Sequence, residues 1–460
     1  MEWMKKMPIK VKMISLGCPK NQVDSEVMMA KLRDGGCELT PHAGYADVVV
    51  INTCGFIEDA KKESIENICE MAQLKKEGTI KGIVVTGCLA QRYFDEIRKE
   101  FPEVDSVVQV GCAGDILRAV QSAGAGEKLA LSAEPEQFAL GGRRVLSTLP
   151  FYAYLKIADG CDNHCSYCVI PSLRGRYRSR PMDELVEEAR GLAQRGVKEL
   201  VLVAQDVTCY GRDLGGLMLP ELLRRLCRID GLRWIRMLYC YPDFITDELI
   251  DTIASEEKLV KYIDMPIQHV SDRILRAMNR RMRKPELTAL IEKIRRRIPG
   301  VTLRTTLIVG FPGETDDDFA QLVQFVRDTK FERLGAFAYS REEGTPAAEM
   351  SGQLEEDEKN RRQDIVMTEQ QTVCEALNAA RQGQTAEVLT EGYDRYAGCY
   401  FGRSADYAPD IDGKIFFTSV KKRRPGEFVT VRFTDTMDFD LLGEALDISP
   451  AAAQGEDGKR

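Results

Sequence analysis

The sequence predicts an α/β protein in three parts: an N-terminal βαβ parallel-sheet domain, a central partial (β/α)6 barrel, and a C-terminal small β-barrel. Three observations predict it. Apolar runs alternate with helical stretches over residues 8–122, strand and helix then alternate in six further rounds over 147–378, and short β-rich runs broken by Gly, Pro and Asp fill 381–446. These limits are the expected domain boundaries.

In the first part, Lys10-Val-Lys-Met-Ile-Ser-Leu16 reads as a strand running into Gly17-Cys18, followed by a helix from about Val23 to Arg33 that Gly35-Gly36 stops. Asp47-Val-Val-Val-Ile-Asn52 is a continuous apolar run, as expected of a parallel strand buried on both faces, and leads into Thr53-Cys54-Gly55 and a charged helix from about Ile57 to Lys76. Gly82-Ile-Val-Val-Thr86 is the third strand and ends in Gly87-Cys88; a helix near Gln91 to Glu100 and a strand at Ser106 to Val110 complete the domain. Cys18, Cys54 and Cys88 thus each lie just past the carboxyl end of a strand, the edge where open α/β sheets hold ligands. Residues 36 and 34 apart in sequence can meet there, and Gly17 and Gly87 let the backbone turn close to a bulky group. Buried cysteines beside strand ends are common, but three strands ending alike make coincidence the poorer reading.

Residues of about 122 to 148 lack sustained periodicity and read as a linker with short strands. The six strands that follow are Tyr152 to Ile157, Glu199 to Ala204, Trp234 to Tyr239, Tyr262 to Gln268, Thr302 to Val309 and Leu334 to Ser340, with a long arginine-rich helix from about Asp272 to Arg297. Active-site groups belong at the carboxyl ends of such strands. After the first comes Asp159-Gly-Cys-Asp-Asn-His-Cys-Ser-Tyr-Cys168, with Cys161, Cys165 and Cys168 in C-x3-C-x2-C spacing. Four thiolates close a four-iron, four-sulfur (4Fe–4S) cube; three leave one iron open for chemistry. A zinc site or three buried thiols is the bland alternative, but zinc wants a fourth Cys or His, and His164 lies inside the loop between two ligands. The triad Cys18, Cys54 and Cys88 reads as a second such site.

Glu355 to about Arg381 reads as a charged helical connector, and strands are expected at Ala386 to Leu389, Ala397 to Phe401, Lys414 to Phe417, Glu427 to Arg432 and Leu441 to Leu446. The tail after Pro450 is small and polar and is expected to be disordered. Fourteen cysteines in 460 residues are no secreted disulfide scaffold, so a reducing compartment is expected. The start of the chain lacks the apolar run of a signal peptide and no segment is long and apolar enough to span a bilayer, so the expectation is a cytoplasmic protein with no membrane partner. A formal charge of −8 argues mildly against a polyanion as the main partner.

The C-x3-C-x2-C triplet is the signature of radical S-adenosylmethionine (SAM) enzymes, and the order of parts resembles the methylthiotransferases over nearly the whole chain, from about residue 8 to 446. Within that family several stretches resemble the branch that modifies ribosomal protein uS12: Ser15-Leu-Gly-Cys-Pro-Lys-Asn-Gln-Val-Asp-Ser-Glu26, Asn52-Thr-Cys-Gly-Phe-Ile57, Gly87-Cys-Leu-Ala-Gln-Arg-Tyr93, Cys161 through Pro171 with Leu173-Arg-Gly-Arg176, Pro266-Ile-Gln-His269, and Leu303 through Thr315. The tRNA-modifying branches usually carry Gln where Pro19 stands. Asp159 stands where Glu is usual, Val207 where Thr is usual, and Cys112 where a small hydroxyl residue is usual.

The resemblance implies a radical SAM barrel in the centre, a TRAM barrel at the C-terminus, two 4Fe–4S clusters and SAM as cofactors, and transfer of a methylthio group to the β-carbon of an aspartate in uS12. That carbon adjoins a carboxylate, so its hydrogen resists removal as a proton, whereas a radical takes a neutral hydrogen atom. It implies that SAM chelates the open iron at Cys161, Cys165 and Cys168, and that reductive cleavage there needs the low end of Fe–S potentials, roughly −700 mV. A low-potential donor such as flavodoxin or ferredoxin is the implied reductant. Tyr167 stands where the superfamily carries an aromatic residue whose backbone contacts adenine; an aromatic that merely packs is comparably well supported. Gln205 and Asp206 end the second strand and suit either the SAM amino group and ribose or a strand-end turn. Gly310, opening Gly310-Phe-Pro-Gly313, lets adenine approach the backbone or simply serves a tight loop. No catalytic residue beyond the cluster ligands is assigned.

Arg174, Arg176, Arg178 and Arg180 alternate beside the triplet, where contact with a substrate or SAM carboxylate is one reading and solvated ion pairs the default, and His42 and His269 read as surface or packed residues. TRAM barrels are RNA-binding in the family at large, but this one carries nine Lys and Arg against eleven Asp and Glu over 381–446. Asp406, Asp410 and Asp412 would repel phosphate and suit basic uS12, against the counter-signal of Lys421-Lys-Arg-Arg424, so tRNA is disfavoured as a partner. A tRNA methylthiotransferase is the near alternative; a non-catalytic iron–sulfur electron carrier or RNA-binding protein is the alternative of another class.

Overall fold

The computed structural model describes residues 7–137 and 140–446; the polar tail after Pro450 lies outside them. The first sheet has six parallel strands, β1 (Lys10–Ser15), β2 (Glu38–Leu39), β3 (Val48–Thr53), β4 (Gly82–Gly87), β5 (Ser106–Val108) and β6 (Leu129–Leu131), in the order β2-β1-β3-β4-β5-β6. Every residue of β3 and β4 is buried, which is why both are unbroken apolar runs. Their side chains alternate: Val48 and Val50 pack with Met28 and Leu32 on one face, Val49 and Ile51 with Ile68 and Met71 on the other. The sheet takes its last strand, β6, from the stretch that periodicity presents as a linker.

The second sheet is the partial barrel. Its six parallel strands lie in sequence order: β7 (Tyr152–Lys156), then, past a small antiparallel pair β8 (Ala158–Asp159) and β9 (Arg178–Ser179), β10 (Glu199–Val203), β11 (Trp234–Met237), β12 (Leu259–Asp264), β13 (Thr302–Val309) and β14 (Arg333–Ala338). Ala153, Leu155, Leu200, Leu202, Ile235 and Met237 pack into the layer of surrounding helices. Alternate residues Tyr152, Tyr154, Val201, Val203, Trp234 and Tyr262 cover the other face, where they meet Val23 of the first domain and Leu389, Ala408 and Phe428 of the third. Six strands leave the barrel open, and the C-terminal domain fills the opening.

The arginine-rich helix expected over Asp272 to Arg297 is two helices, Asp272–Ala277 and Lys284–Arg297. Pro285 starts the second, where its missing N–H costs nothing. Asn279, at φ +56, turns the chain between them, and the break carries Arg280 inward to 5% exposure.

The third domain is a closed barrel of β15 (Thr385–Asp394), β16 (Cys399–Ser404), β17 (Ile415–Thr418), β18 (Phe428–Met437) and β19 (Asp440–Ala445), in the order β15-β16-β17-β19-β18. The helix Glu356–Ala379 leads into it. Two of the three acids that the charge count singles out, Asp410 and Asp412, are bonded to the central barrel. Asp410 accepts hydrogen bonds from the Tyr152 and Tyr154 hydroxyls at 3.1 and 3.0 Å, and Asp412 accepts one from Tyr262 at 2.7 Å and lies 3.5 Å from Arg304. Asp406 pairs with Arg381 at 2.6 Å. Two of the three acids therefore join this barrel to the central one.

Candidate functional site

The carboxyl ends of β1, β3 and β4 lie side by side, because β3 pairs with both neighbours. Ser15 is level with Asn52, and Thr53 with Gly87, so the residues that follow emerge at one edge. Cys18 precedes the helix Pro19–Asp34, Cys54 opens a loop, and Cys88 begins the helix Cys88–Arg92. Gly17 has φ +84, and a Cβ there would lie 2.8 Å from the Cys54 sulfur, so only glycine admits this thiol beside the first strand. Gly87, at φ +93, serves the sheet instead: its Cβ would strike Thr53 of β3. Ser64 Oγ accepts from the Cys54 amide at 3.0 Å and donates to its carbonyl at 2.9 Å, while Asn21 Nδ2 donates to Leu16, Asn52 and Thr53 carbonyls. These bonds hold the edge rigid.

The second triad sits on the loop after β8. Gly160, at φ +80, brings this loop against the Arg176 carbonyl, and the Cys161 amide donates to Gly175 O at 3.1 Å. Ser166 is tied to Met278 and Ala277, and Asn279 Nδ2 donates to His164 O at 2.9 Å, so the break in the arginine-rich helix holds the cysteine loop. Arg280 donates to Cys165 Sγ at 3.9 Å and lies 3.8 Å from the Tyr241 ring centroid. A cavity of about 490 Å³ opens beside Cys161, lined by Asp162, Asn163, Tyr177, Cys209 and Arg212 among others.

The two triads share one buried junction. The helix Ile170–Arg174 packs against the helix Cys88–Arg92 through Val169, Leu173 and Cys88. From it Arg174, 2% exposed, donates to Cys88 Sγ at 3.4 Å, Asn21 Oδ1 at 3.0 Å, Asp24 Oδ2 at 2.6 Å and Asp159 Oδ2 at 3.3 Å. Lys156 pairs with Asp24 and, at 3.1 Å, with Asp159. Asp159 also accepts from Gln205 Nε2 at 2.7 Å, which links the network to the end of β10. Burial would raise the Asp159 carboxyl, but Lys156 and Arg174 overcome it and hold the group well below the usual carboxylate range.

The other candidate residues divide. Tyr167 packs against Ile274, Met278 and Phe311, so its ring is a core element beside the loop. Gln205 leaves its Oε1 buried and unpartnered at the strand end, as does Gln268 after β12. Asp206 has both oxygens engaged: Oδ1 accepts from Thr208 N and Oγ1 at 3.0 and 2.5 Å, Oδ2 from Asn163 at 3.0 Å and Cys209 at 3.1 Å. It organises the strand-end turn. Gly310 lies against Lys359, whose Cγ would be 2.3 Å from a Cβ there. His269 is buried and its Nδ1 accepts from the Ser271 amide at 2.9 Å; His42 is exposed. Of the arginine row, Arg174 and Arg180 are buried, against the solvated default, while Arg176 is exposed. Lys20 and Arg280 beside the cysteines escaped sequence reading, while Arg174 was legible only as one of a row of four. Pro285 and Asn279 are the signal that could have exposed the break carrying Arg280.

The donor sets fit iron–sulfur clusters. Each triad offers three thiols, and burial pushes Cys54 up to about 12 and Cys161 up to about 11, so as isolated groups they stay protonated. A cationic metal centre is what makes such thiols into thiolates. Among the described residues no three His, Cys, Asp or Glu side chains gather as one metal ion needs, whereas a cube spreads its thiolates over separate irons.

Fold and motif define a radical SAM protein. The Radical SAM superfamily model matches residues 155–326, the uncharacterized protein family UPF0004 model matches 10–109, and the TRAM domain model matches 383–446. Among solved structures, the radical SAM methyltransferase TsrM from Kitasatospora setae, with cobalamin and a 4Fe-4S cluster bound, superposes with a TM-score of 0.56 at 16% identity over 74% of this chain and 77% of that one. This likeness is one of fold. The ribosomal protein uS12 methylthiotransferases RimO of Lachnoclostridium phytofermentans and Pelotomaculum thermopropionicum are each 49% identical, over 95% and 96% of this chain and the full length of both relatives. That of Clostridioides difficile is 47% identical over 95% of this chain. The chain belongs to the RimO family of uS12 methylthiotransferases.

Proposed function

We propose that this protein attaches a methylthio group to the β-carbon of an aspartate in ribosomal protein uS12. In this reading Cys161, Cys165 and Cys168 hold the 4Fe–4S cluster that binds SAM, and Cys18, Cys54 and Cys88 hold the second. When bound, these groups supply a radical that removes a neutral hydrogen and a place for the sulfur to be transferred. The carrying observation is the Arg174 guanidinium, which donates to Cys88 of one triad from the helix that follows the other. Two triads on one seam let one substrate residue meet both.

The chain's own residues then have distinct tasks. The Asn21, Ser64 and Asn279 hydrogen bonds hold the two cysteine edges in place, so the sites need little rearrangement on loading. Arg174 and Arg280 put positive charge beside Cys88 and Cys165. For SAM, Tyr167 presents its backbone, Gln205 its free Oε1, Gly310 the close approach after β13, and Asp206 shapes the rim by holding Thr208 and Asn163. The working divisions are 8–122, 147–378 and 381–446. A low-potential flavodoxin or ferredoxin serves as reductant, and the reaction belongs to the cytoplasm, where ribosomal proteins are made. Among the described residues no helix is long and apolar enough to cross a membrane. With Asp410 and Asp412 taken up between the barrels, the preference for uS12 over tRNA rests on the relatives rather than on barrel charge.

The test is anaerobic reconstitution. Cys18→Ala and Cys161→Ala are each expected to lose about half of the bound iron and sulfide, one cube's share. Cys161→Ala also loses SAM cleavage. Wild-type enzyme with SAM and reductant is expected to leave a methylthio mass increment on a uS12 aspartate and none on tRNA hydrolysates. The reverse pattern would make it a tRNA methylthiotransferase.

A further inference from the structure

Lys20 is the feature of the junction that the proposed reaction does not use. It lies two residues past Cys18, in the first turn of the helix Pro19–Asp34, and is only 7% exposed. Its ammonium rests 3.4 Å from the centroid of the Tyr239 ring, and among the described residues no carboxylate reaches it within salt-bridge distance. The buried cations Lys156 and Arg174 and the half-buried Arg304 have carboxylate partners, Asp24 and Asp159 for the first two and Asp264 and Asp412 for the third, while buried Arg280 donates to Cys165 Sγ and the Pro266 carbonyl. Asp159 acts on Lys20 only from a distance, its oxygens already accepting from Lys156, Arg174, Gln205 and the Gly160 amide.

The platform under this ammonium is built with care. Tyr239 follows β11 at φ +65, a conformation costly for a bulky side chain. It is held there by its amide, which donates to Asp264 Oδ2 at 2.8 Å, and by its carbonyl, which accepts from the Val207 amide at 3.1 Å. Lys20 follows Cys18 of one triad by two residues, and the Tyr239 ring under it stands just past the carboxyl end of β11, at the barrel edge that carries the other triad. No carboxylate of the described residues pairs directly with this ammonium, so a ligand carboxylate arriving here would find an ion-pair position open.

We propose that Lys20 is the anchor for the carboxylate of the target residue: its ammonium pairs with the side-chain carboxylate of the substrate aspartate and so fixes the adjacent β-carbon between the two triads. This rests on the methylthiotransferase reading. The pairing makes the enzyme specific for an acid over its amide, because a carboxamide leaves the ammonium without its counter-charge.

The test uses the full-length, anaerobically reconstituted protein and two uS12 peptides, one with the target aspartate and one with asparagine in its place. Wild type is expected to bind the aspartate peptide about tenfold or more tightly than the asparagine peptide. Lys20→Gln, with iron content and visible spectrum as controls, is expected to bind both alike. Retained discrimination in Lys20→Gln overturns the proposal; so does loss of iron in that variant, which would make Lys20 a support of the cluster instead. A second measurement needs no variant: zero-length carbodiimide coupling of the wild-type complex is expected to join Lys20 to the target aspartate, and coupling to another lysine overturns it. If wild type fails to modify the aspartate peptide at all, the methylthiotransferase reading fails, an outcome separate from any result with Lys20→Gln.

Discussion

One guanidinium meets acceptors from two domains at Arg174: Asp24, Asn21 and Cys88 from the N-terminal sheet domain, and Asp159 from the barrel. The arginine row was visible in the sequence, but alternation alone could not tell the buried Arg174 from the exposed Arg176, because that depends on which domain packs over the loop. The fork geometry of arginine suits this many acceptors, and lysine cannot reproduce it. Arg174→Met leaves Asp24 and Asp159 with Lys156 as their remaining cationic partner in this network. We expect it to cost about 3–5 kcal/mol in urea unfolding, with Arg174→Lys in between. A cost under about 1 kcal/mol, the range of an exposed pair, would show that the junction is solvated.

The helix Asp316–Thr329 shows how far local chemistry can be read at the scale of an element. Thr315-Asp-Asp-Asp318 forms a capping box: Thr315 Oγ1 accepts from the Asp318 amide at 3.3 Å, and Asp318 Oδ2 accepts from the Thr315 amide at 3.0 Å. Asp318 also accepts from Ser271 at 2.5 Å and pairs with Arg273, which ties this helix to the segment that supports the cysteine loop. Burial would raise the Asp318 carboxyl, but Ser271, Thr315 and Arg273 outweigh it and hold it below the usual aspartate range. A depressed pKa stabilises the fold above the unfolded value of about 3.9, and the contribution is lost as pH falls through the lower folded value. The stability gap between wild type and Asp318→Asn should therefore be full near neutrality and close below about pH 4, as read from urea midpoints across pH. Thr315→Ala should cost about 1 kcal/mol at any pH where the helix is formed. The neighbouring arginine-rich stretch shows the opposite case. Its apolar period continues across Met278 to Arg283, but the carbonyls of Ala277 and Met278 serve Ser166, a tertiary demand that no helical pattern records.

For the whole molecule, the third domain does structural work on the second. Tyr152, Tyr154, Trp234 and Tyr262 line the face that an eight-stranded barrel would turn inward, and here Leu389, Ala408 and Phe428 cover it. Glu199, wholly buried, pairs with Arg236 at 2.9 Å and with Arg403 from the C-terminal barrel. A chain ending at Ala380 would expose that aromatic face and leave Glu199 with Arg236 alone. We expect such a chain to aggregate or bind a hydrophobic dye in size-exclusion and fluorescence measurements, because so large an apolar patch does not stay exposed on a soluble monomer. A monomeric, cooperatively unfolding product would refute this.

By itself the sequence determined the three-part architecture, the strand-tip cysteines and the C-x3-C-x2-C loop, because strand period, glycine placement and ligand spacing are local properties of the chain. Only the tertiary structure decided that Lys20, Arg174 and Arg280 lie buried beside the cysteines and that Asp410 and Asp412 bond to the central barrel. Whether a charged side chain is buried depends on what packs over it, and here each covering surface comes from segments far away in sequence.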